Sequence, residues 1–371
     1  MCIRDSDHAT RAAAITPNRL SNLRDEGRAA DLVIIAHRDF LDRVNVLKSL
    51  RESQGLSVTV VDIEDIYDEF SYGHKSPKAI KDFLAFTNMS WQKRPRFALF
   101  VGDATFDPKN YLGRGDHDFI PTRLVDTLFL ETASDDWFGD FNEDGLAEMA
   151  LGRLPVRTAD ETSRIIGKIV SYESAARAQS VMLVSDLNDG IDFRTTHTQL
   201  RGLIPAGVTV EEIDRGQMGT AAAKSRLIDS LNLGLGVVSY YGHGNLDQWR
   251  GNLLTSADAS GLANGRMLPV FFTMTCLNGY FVDPTLDSLA ESLIKAERGG
   301  AVAVWASTGM CDAVPQAMLE QEMFRLLFAG NSSGGDALTL GEAALKAKES
   351  IKDTDVRLSY ILFGDPSGRL R

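Results

Sequence analysis

Cysteine is scarce. Only Cys2, Cys276 and Cys311 occur in 371 residues, too few for a disulfide framework, and the odd count leaves at least one free thiol. No run of 18 apolar residues is present, which excludes a membrane-spanning helix. Long basic runs are also missing, and 51 acidic against 39 basic residues leave a formal net charge of −12, so no nucleic-acid footprint exists. The six histidines are scattered without H-x-x-x-H spacing, and no C-x-x-C occurs, which argues against a transition-metal site. The stretch "GLGVVS" (234–239) resembles part of a dinucleotide fingerprint but precedes a strand instead of following one. A nucleotide-dependent enzyme therefore lacks its phosphate cradle. The first residues, "MCIRDSDHATRAAAITPNRL", carry no apolar core of a secretory signal.

What is present is an alternation of strands and helices. "DLVIIAH" (31–37), "SVTVV" (57–61) and "FALFVGD" (97–103) read as strands in the first half. Helix-spaced apolar residues fill 40–54 and 77–91 between them. In the second half the strands are "VMLVS" (181–185), "GVTVEEI" (207–213), "GVVSYYG" (236–242), "PVFFTMT" (269–275) and "GAVAVWAS" (300–307). Helices are expected at 193–203, 220–232, 286–297 and 315–329. Near-continuous apolar strands separated by helices require a parallel sheet covered on both faces, so the fold class is α/β. The length suits two or three domain-sized units. The expected division is a flanking segment over 1–28, an α/β unit over 29–176 and a second over 177–371.

Ligands of open α/β sheets gather beyond the carboxyl ends of the strands. Strand 236–242 ends in His243, held between Gly242 and Gly244, and strand 269–275 ends in Cys276. If the two strands are neighbours, a thiol and an imidazole project from one edge. That is an arrangement for nucleophilic catalysis, in which the imidazole supports the thiolate and protonates a leaving amine. Each residue alone has a blander reading: a strand-to-loop turn for His243, a small buried hydrophobe for Cys276. The backbone N–H groups of Gly244 and Cys276 are natural donors to an oxyanion.

Other features weigh less. "DWFGDFNEDGLAEM" places Asp140, Asn142, Asp144 and Gly145 in the D-x-N-x-D-G order of a calcium loop, with Leu151 where such a loop carries glutamate. A calcium loop and a polar turn both stay open from the residues alone. Asp103 ends another strand, where a turn role is expected. Cys311 has nothing nearby in sequence to activate it, and Trp305 reads as core. Asp160 and Glu161 read as the acidic first turn of a helix.

The segments "DLVIIAHRDF", "LFVGDATFD", "ASDDWFGDFNEDGLAEMALGRLPV", "SYYGHGNLDQW", "MTCLNGYF" and "LFGDPSGRL" resemble the gingipain-like cysteine peptidases, peptidase family C25 of the caspase-like group. The resemblance covers almost the whole chain, and "YGHG" followed by "TCLNGYF" is its specific part. It implies a caspase-like fold of two adjacent α/β subdomains with mainly parallel sheets flanked by helices. It further implies a cysteine endopeptidase with Cys276 as nucleophile, His243 as its partner and Glu148 as the acidic residue near the histidine. Gly244 and Cys276 would form the oxyanion hole. A structural calcium ion at Asp140, Asn142 and Asp144 is implied too, while the chemistry itself needs no cofactor. The expected partners are protein or peptide substrates, an inhibitory pro-segment and a C-terminal sorting module outside this chain. The expected location is secreted or cell-surface. The caspase signature Q-A-C-x-G is absent, and "MTCLNG" keeps only the glycine three residues after the cysteine. The same dyad would serve a sortase-type transpeptidase, and a catalytically silent caspase-like interaction module is the remaining alternative.

Overall fold

The computed structural model describes residues 20–175, 179–329 and 337–370. Cys2 and most of the expected flanking segment 1–28 lie outside the described residues. Twelve strands are present among them: β1 (Leu32–Ala36), β2 (Val58–Asp62), β3 (Phe97–Val101), β4 (Arg123–Asp126), β5 (Glu131–Ser134), β6 (Ala150–Leu154), β7 (Ser180–Ser185), β8 (Thr209–Asp214), β9 (Val237–Tyr241), β10 (Val270–Met274), β11 (Ala303–Ser307) and β12 (Tyr360–Phe363). The helices in chain order are α1 (Leu41–Ser53), α2 (Ile63–Ser71), α3 (Pro77–Ser90), α4 (Ala159–Ser174), α5 (Phe193–Arg201) and α6 (Arg215–Met218). They continue with α7 (Thr220–Leu233), α8 (Ser256–Gly261), α9 (Leu289–Lys295), α10 (Ala313–Ala329), α11 (Leu340–Glu349) and α12 (Thr354–Ser359).

Local chemistry explains where helices begin. Ser76 caps α3 by accepting the Lys78 N–H, with Pro77 in the first turn. Thr158 caps α4 by accepting the Glu161 N–H, and Asp160 and Glu161 form its acidic first turn, as the helix-terminus reading expects. The strands β1, β3, β9, β10 and β11 are buried at every position. Burial on both faces accounts for their unbroken apolar runs. Trp305 is fully buried in the core.

The two halves share one ten-stranded sheet, in the order β2-β1-β3-β6-β12-β11-β10-β9-β7-β8. The seam is made by the last strand of the chain. β12 pairs antiparallel with β11 and parallel with β6, so the halves point in opposite directions along a continuous sheet. Sequence periodicity does not reveal this strand, β6 or the β4–β5 hairpin. Arg153 of β6 anchors the seam: it is fully buried, binds both Asp135 oxygens at 2.6 and 2.9 Å and donates to the Gly102 and Ile120 carbonyls. Its guanidinium also lies over the Phe100 and Phe281 rings, which satisfies a buried cation on every side.

The reversal at β12 decides what shares an edge. The carboxyl ends of β7, β9, β10 and β11 emerge beside the amino ends of β6 and β12. The β4–β5 hairpin is tied to the same edge, where Thr132 Oγ1 donates to the Thr308 carbonyl and Thr308 Oγ1 to that of Ala133, both at 2.7 Å.

Candidate active site

β9 and β10 are parallel neighbours, with Tyr241 opposite Met274 at the end of the ladder. His243 and Cys276 are each two residues further on. The last backbone bond between the strands is Gly242 N–H to the Met274 carbonyl, 3.3 Å. The structure thus brings the two expected residues to adjacent ends at the same height.

The His243 ring is partly exposed and packs edge-on against Phe193, centroids 5.4 Å apart at 83°. Its Nε2 lies 3.3 Å from Asp189 Oδ2, and Asp189 is also bonded by Arg250. Against the raising effect of burial, the Arg250 hydrogen bond and the His243 charge hold the Asp189 carboxyl below its usual range. The backbone of His243 is fixed as well. Its N–H donates to Asp186 at 3.1 Å, and its carbonyl accepts from Tyr240 Oη at 2.7 Å and from the Arg250 N–H at 2.8 Å. Asp186 is buried and paired with Arg215 at 2.5 Å.

Cys276 is half-buried, and burial pushes its thiol above the ordinary range. Its S–H points to the Cys311 carbonyl, 3.7 Å away. Immediately after it, Leu277 adopts φ +62°, a left-handed conformation that is costly for a branched side chain. That turn lets Leu277 N–H reach the Gly309 carbonyl and Gly279 N–H reach Ser307, at 3.0 and 2.8 Å. Gly279 is required there, since a Cβ would lie 2.9 Å from Phe363 and 3.0 Å from the Ala306 carbonyl.

Gly244 is constrained by packing. A Cβ would lie 2.7 Å from Thr275 Oγ1 and 2.9 Å from the Gln248 carbonyl. It pairs with Trp249 in a small antiparallel bridge whose bonds come from Asn245 N–H and Arg250 N–H. The Gly244 and Cys276 N–H groups donate to no acceptor among the described residues.

Glu148, expected near the histidine, has its carboxylate elsewhere. It accepts the Phe141 N–H at 2.6 Å and lies with Asp140 and Asp144, one oxygen from each within 4.8 Å of the others. Glu148 leads into β6, four strands from β9, or about 19 Å at the usual strand spacing. The carboxylates set beside His243 are Asp189 and Asp186. Both follow β7, whose adjacency to β9 is invisible in sequence; the signal available was a "SDLNDG" turn at a strand end.

The 140–148 loop is built of acidic turns. Asp140 accepts the Asp144 and Gly145 N–H groups at 3.1 and 3.0 Å, and Asn142 Oδ1 accepts that of Asp144 at 2.9 Å. Carboxylate oxygens gathered in this way fit the hard-donor preference of Ca²⁺. Asn142 spends its carboxamide inside the loop, donating to Asp144 Oδ2 at 3.2 Å, and Glu148 joins the set in its place. Asp103 is fully buried and paired with Arg157 at 2.5 Å. Cys311 is buried, with its sulfur beside the Ser307 and Ser359 hydroxyls.

A mostly parallel α/β sheet that sets an imidazole and a thiol at neighbouring strand ends defines a caspase-like architecture. Residues 25–371 match the model of peptidase family C25, and the chain belongs to that family of cysteine peptidases. Gingipain R1 of Porphyromonas gingivalis is 23% identical over 387 residues, covering 95% of this chain and 35% of the relative. Gingipain R2 of the same species is 22% identical over 366 residues, covering 91% and 45%. The chain therefore spans less than half the length of these curated relatives. The crystal structure of the Arg-specific cysteine proteinase gingipain R (RgpB) aligns with a TM-score of 0.77 at 20% identity, covering 94% of this chain and 79% of that one. A complex of the Porphyromonas gingivalis RgpB pro- and mature domains also aligns at 0.77, with 19% identity and coverage of 92% and 79%.

Proposed function

We propose that this chain is the catalytic unit of a cysteine endopeptidase in which Cys276 attacks the scissile carbonyl and His243 manages the proton. The observation that carries the reading is the parallel pairing of β9 with β10 in a register that levels the two residues. The resting thiol is held protonated by burial. With Nε2 turned to Asp189, Nδ1 is the ring nitrogen left to take the proton as the sulfur attacks. The imidazolium then protonates the departing amine, and the neutral ring activates the water that releases the acyl-enzyme. The unused N–H groups of Gly244 and Cys276 are the donors available to the oxyanion. Asp189 takes the part of the acid beside the histidine, stabilising its charged form as the third member of a triad does.

Calcium bound by Asp140, Asp144 and Glu148 would be structural, neutralising three carboxylates and locking the loop that enters β6. No helix among the described residues is long and apolar enough to cross a membrane. Kinship with the gingipains supports a secreted or surface location, protein substrates and a pro-segment as partner, since the RgpB pro- and mature domains form a complex.

The test is hydrolysis of a fluorogenic peptide library, varied at the residue before the scissile bond, by the chain and by Cys276→Ala, with calcium and a reductant present. Turnover lost in the variant supports the reading, and product analysis with an added amine separates hydrolysis from transpeptidation. Absence of turnover in both, with Cys276 alkylated no faster than a free thiol, overturns it.

A further inference from the structure

β9 and β10 stop pairing before they reach the reacting groups. Beyond Gly242 N–H to Met274, no sheet hydrogen bond ties the histidine loop to the cysteine loop. A displacement of about 1 Å between reacting atoms is enough to cost about 100-fold in rate. The relative position of the loops must therefore come from other contacts.

We propose that Asn278 is the positioning residue that sets the His243 loop against the Cys276 loop, an inference that rests on the peptidase reading above. Asn278 stands two residues after Cys276 and is fully buried. Its Nδ2 donates to the carbonyl of Asn245 at 2.6 Å, and Asn245 stands two residues after His243. Its Oδ1 accepts Trp249 Nε1–H at 2.9 Å, from the far side of the same histidine loop. One carboxamide thus spans the loop's two limbs, using its donor on one and its acceptor on the other.

The partners are themselves fixed. Trp249 is fully buried and stacks on Tyr240, centroids 4.0 Å apart at 6°, while Tyr240 Oη holds the His243 carbonyl. Position passes from Asn278 through Trp249 and Tyr240 to the backbone of His243. On the other side, the first turn of α9 donates Leu289 N–H to the Leu246 carbonyl and Ala290 N–H to the Asn278 carbonyl, at 2.8 and 2.9 Å. The left-handed Leu277 turns Asn278 inward after the thiol. The strain at Leu277 is accounted for by this contact, because an extended chain would carry residue 278 away from the histidine loop.

The chemistry calls for a carboxamide. Aspartate lacks the donor for Asn245 and would set a charge against a carbonyl. Leucine has similar bulk and neither bond. Both bracing side chains, Asn278 and Trp249, are fully buried, so losing the brace is expected to act on proton transfer and to leave substrate binding intact.

The experiment compares Asn278→Asp and Trp249→Phe with wild type; the latter keeps an aromatic ring facing Tyr240 while removing the indole N–H together with part of the ring's bulk. Two readouts are taken: kcat and KM on the best library peptide, and the rate of Cys276 alkylation by iodoacetamide at pH 6 relative to His243→Ala. The expected result is at least a tenfold fall in kcat with KM within twofold, and alkylation slowed to the His243→Ala rate, in both variants. A merely structural role predicts a lowered melting temperature with kcat per titrated active site and alkylation rate unchanged, and that result overturns the proposal. So does a wild-type thiol that alkylates no faster than in His243→Ala. If Asn278→Asp fails to fold, Trp249→Phe decides alone. If wild type cleaves no peptide yet its His243-dependent alkylation is lost in the variants, the peptidase reading fails and the positioning role stands.

Discussion

Asp189 Oδ2 lies 3.3 Å from His243 Nε2, and Arg250 binds the same carboxylate. The contact holds a charge against the imidazole at the mouth of the site, where Asp189 is about one-third exposed. Removing that charge makes the imidazolium less stable. Asp189→Asn is expected to lower kcat/KM about 10- to 100-fold and to move the acid limb of the pH–rate profile, where the imidazole must be neutral to accept the thiol's proton, to lower pH. A profile that keeps its shape, whatever the absolute rate, would remove Asp189 from the mechanism.

Glu148 separates two roles in one variant. As part of the 140–148 carboxylate cluster, Glu148→Gln should lose most of the calcium-dependent rise in melting temperature while kcat at saturating calcium stays within a few-fold of wild type. For a single site, calcium at a hundredfold over its Kd contributes about 2.7 kcal/mol to the wild-type protein. A collapse of kcat without change in the calcium response would return Glu148 to the catalytic centre.

Gly244→Ala tests the close approach of the two loops. The new methyl meets Thr275 Oγ1 and the Gln248 carbonyl inside contact distance, and the histidine loop must move to relieve it. Activity is expected to fall about 100-fold with a small change in melting temperature. Equal and large losses in both would mean that the glycine serves folding only.

Lys168 supplies a prediction about pH and stability. Burial, with Arg164 nearby, brings its pKa down to about 7, and its ammonium faces the Ile294 carbonyl at 2.8 Å at the end of α9. A depressed pKa means that the unfolded chain takes up a proton before the folded one does. The stabilising contribution is present above the ordinary lysine range and is lost as pH falls toward about 7. The melting temperature of wild type, relative to Lys168→Met, should therefore drop from pH 10 to pH 7 and level off below. A flat difference across that range would show that the helix-end carbonyls keep the lysine charged.

Much of the architecture is legible in the amino-acid sequence. Strands such as Leu32–Ala36 and Val270–Met274 are buried on both faces, so their apolar runs stand out without help from neighbours. His243 and Cys276 can be singled out for a similar reason, because residues just past a parallel strand inherit the ligand-facing edge. The acids at Asp160 and Glu161 are recognisable as a helix start. β12 is not legible: four residues after a short helix carry no periodicity, and their strand character comes from pairing with β11 and β6. Asp189 and Asn278 are hidden as well, since each looks like an ordinary turn residue.

The division follows from the range of the forces involved. Hydrophobic periodicity, capping and turn chemistry act over a few residues, and they determined the α/β class, the strand ends and the identity of the thiol and imidazole. Strand order, the reversal at β12, the Asp189 contact and the Asn278 brace depend on segments tens to hundreds of residues apart meeting through burial and hydrogen bonding. Only the tertiary structure decided that the acid beside His243 comes from the loop after β7 and that Glu148 stands with Asp140 and Asp144.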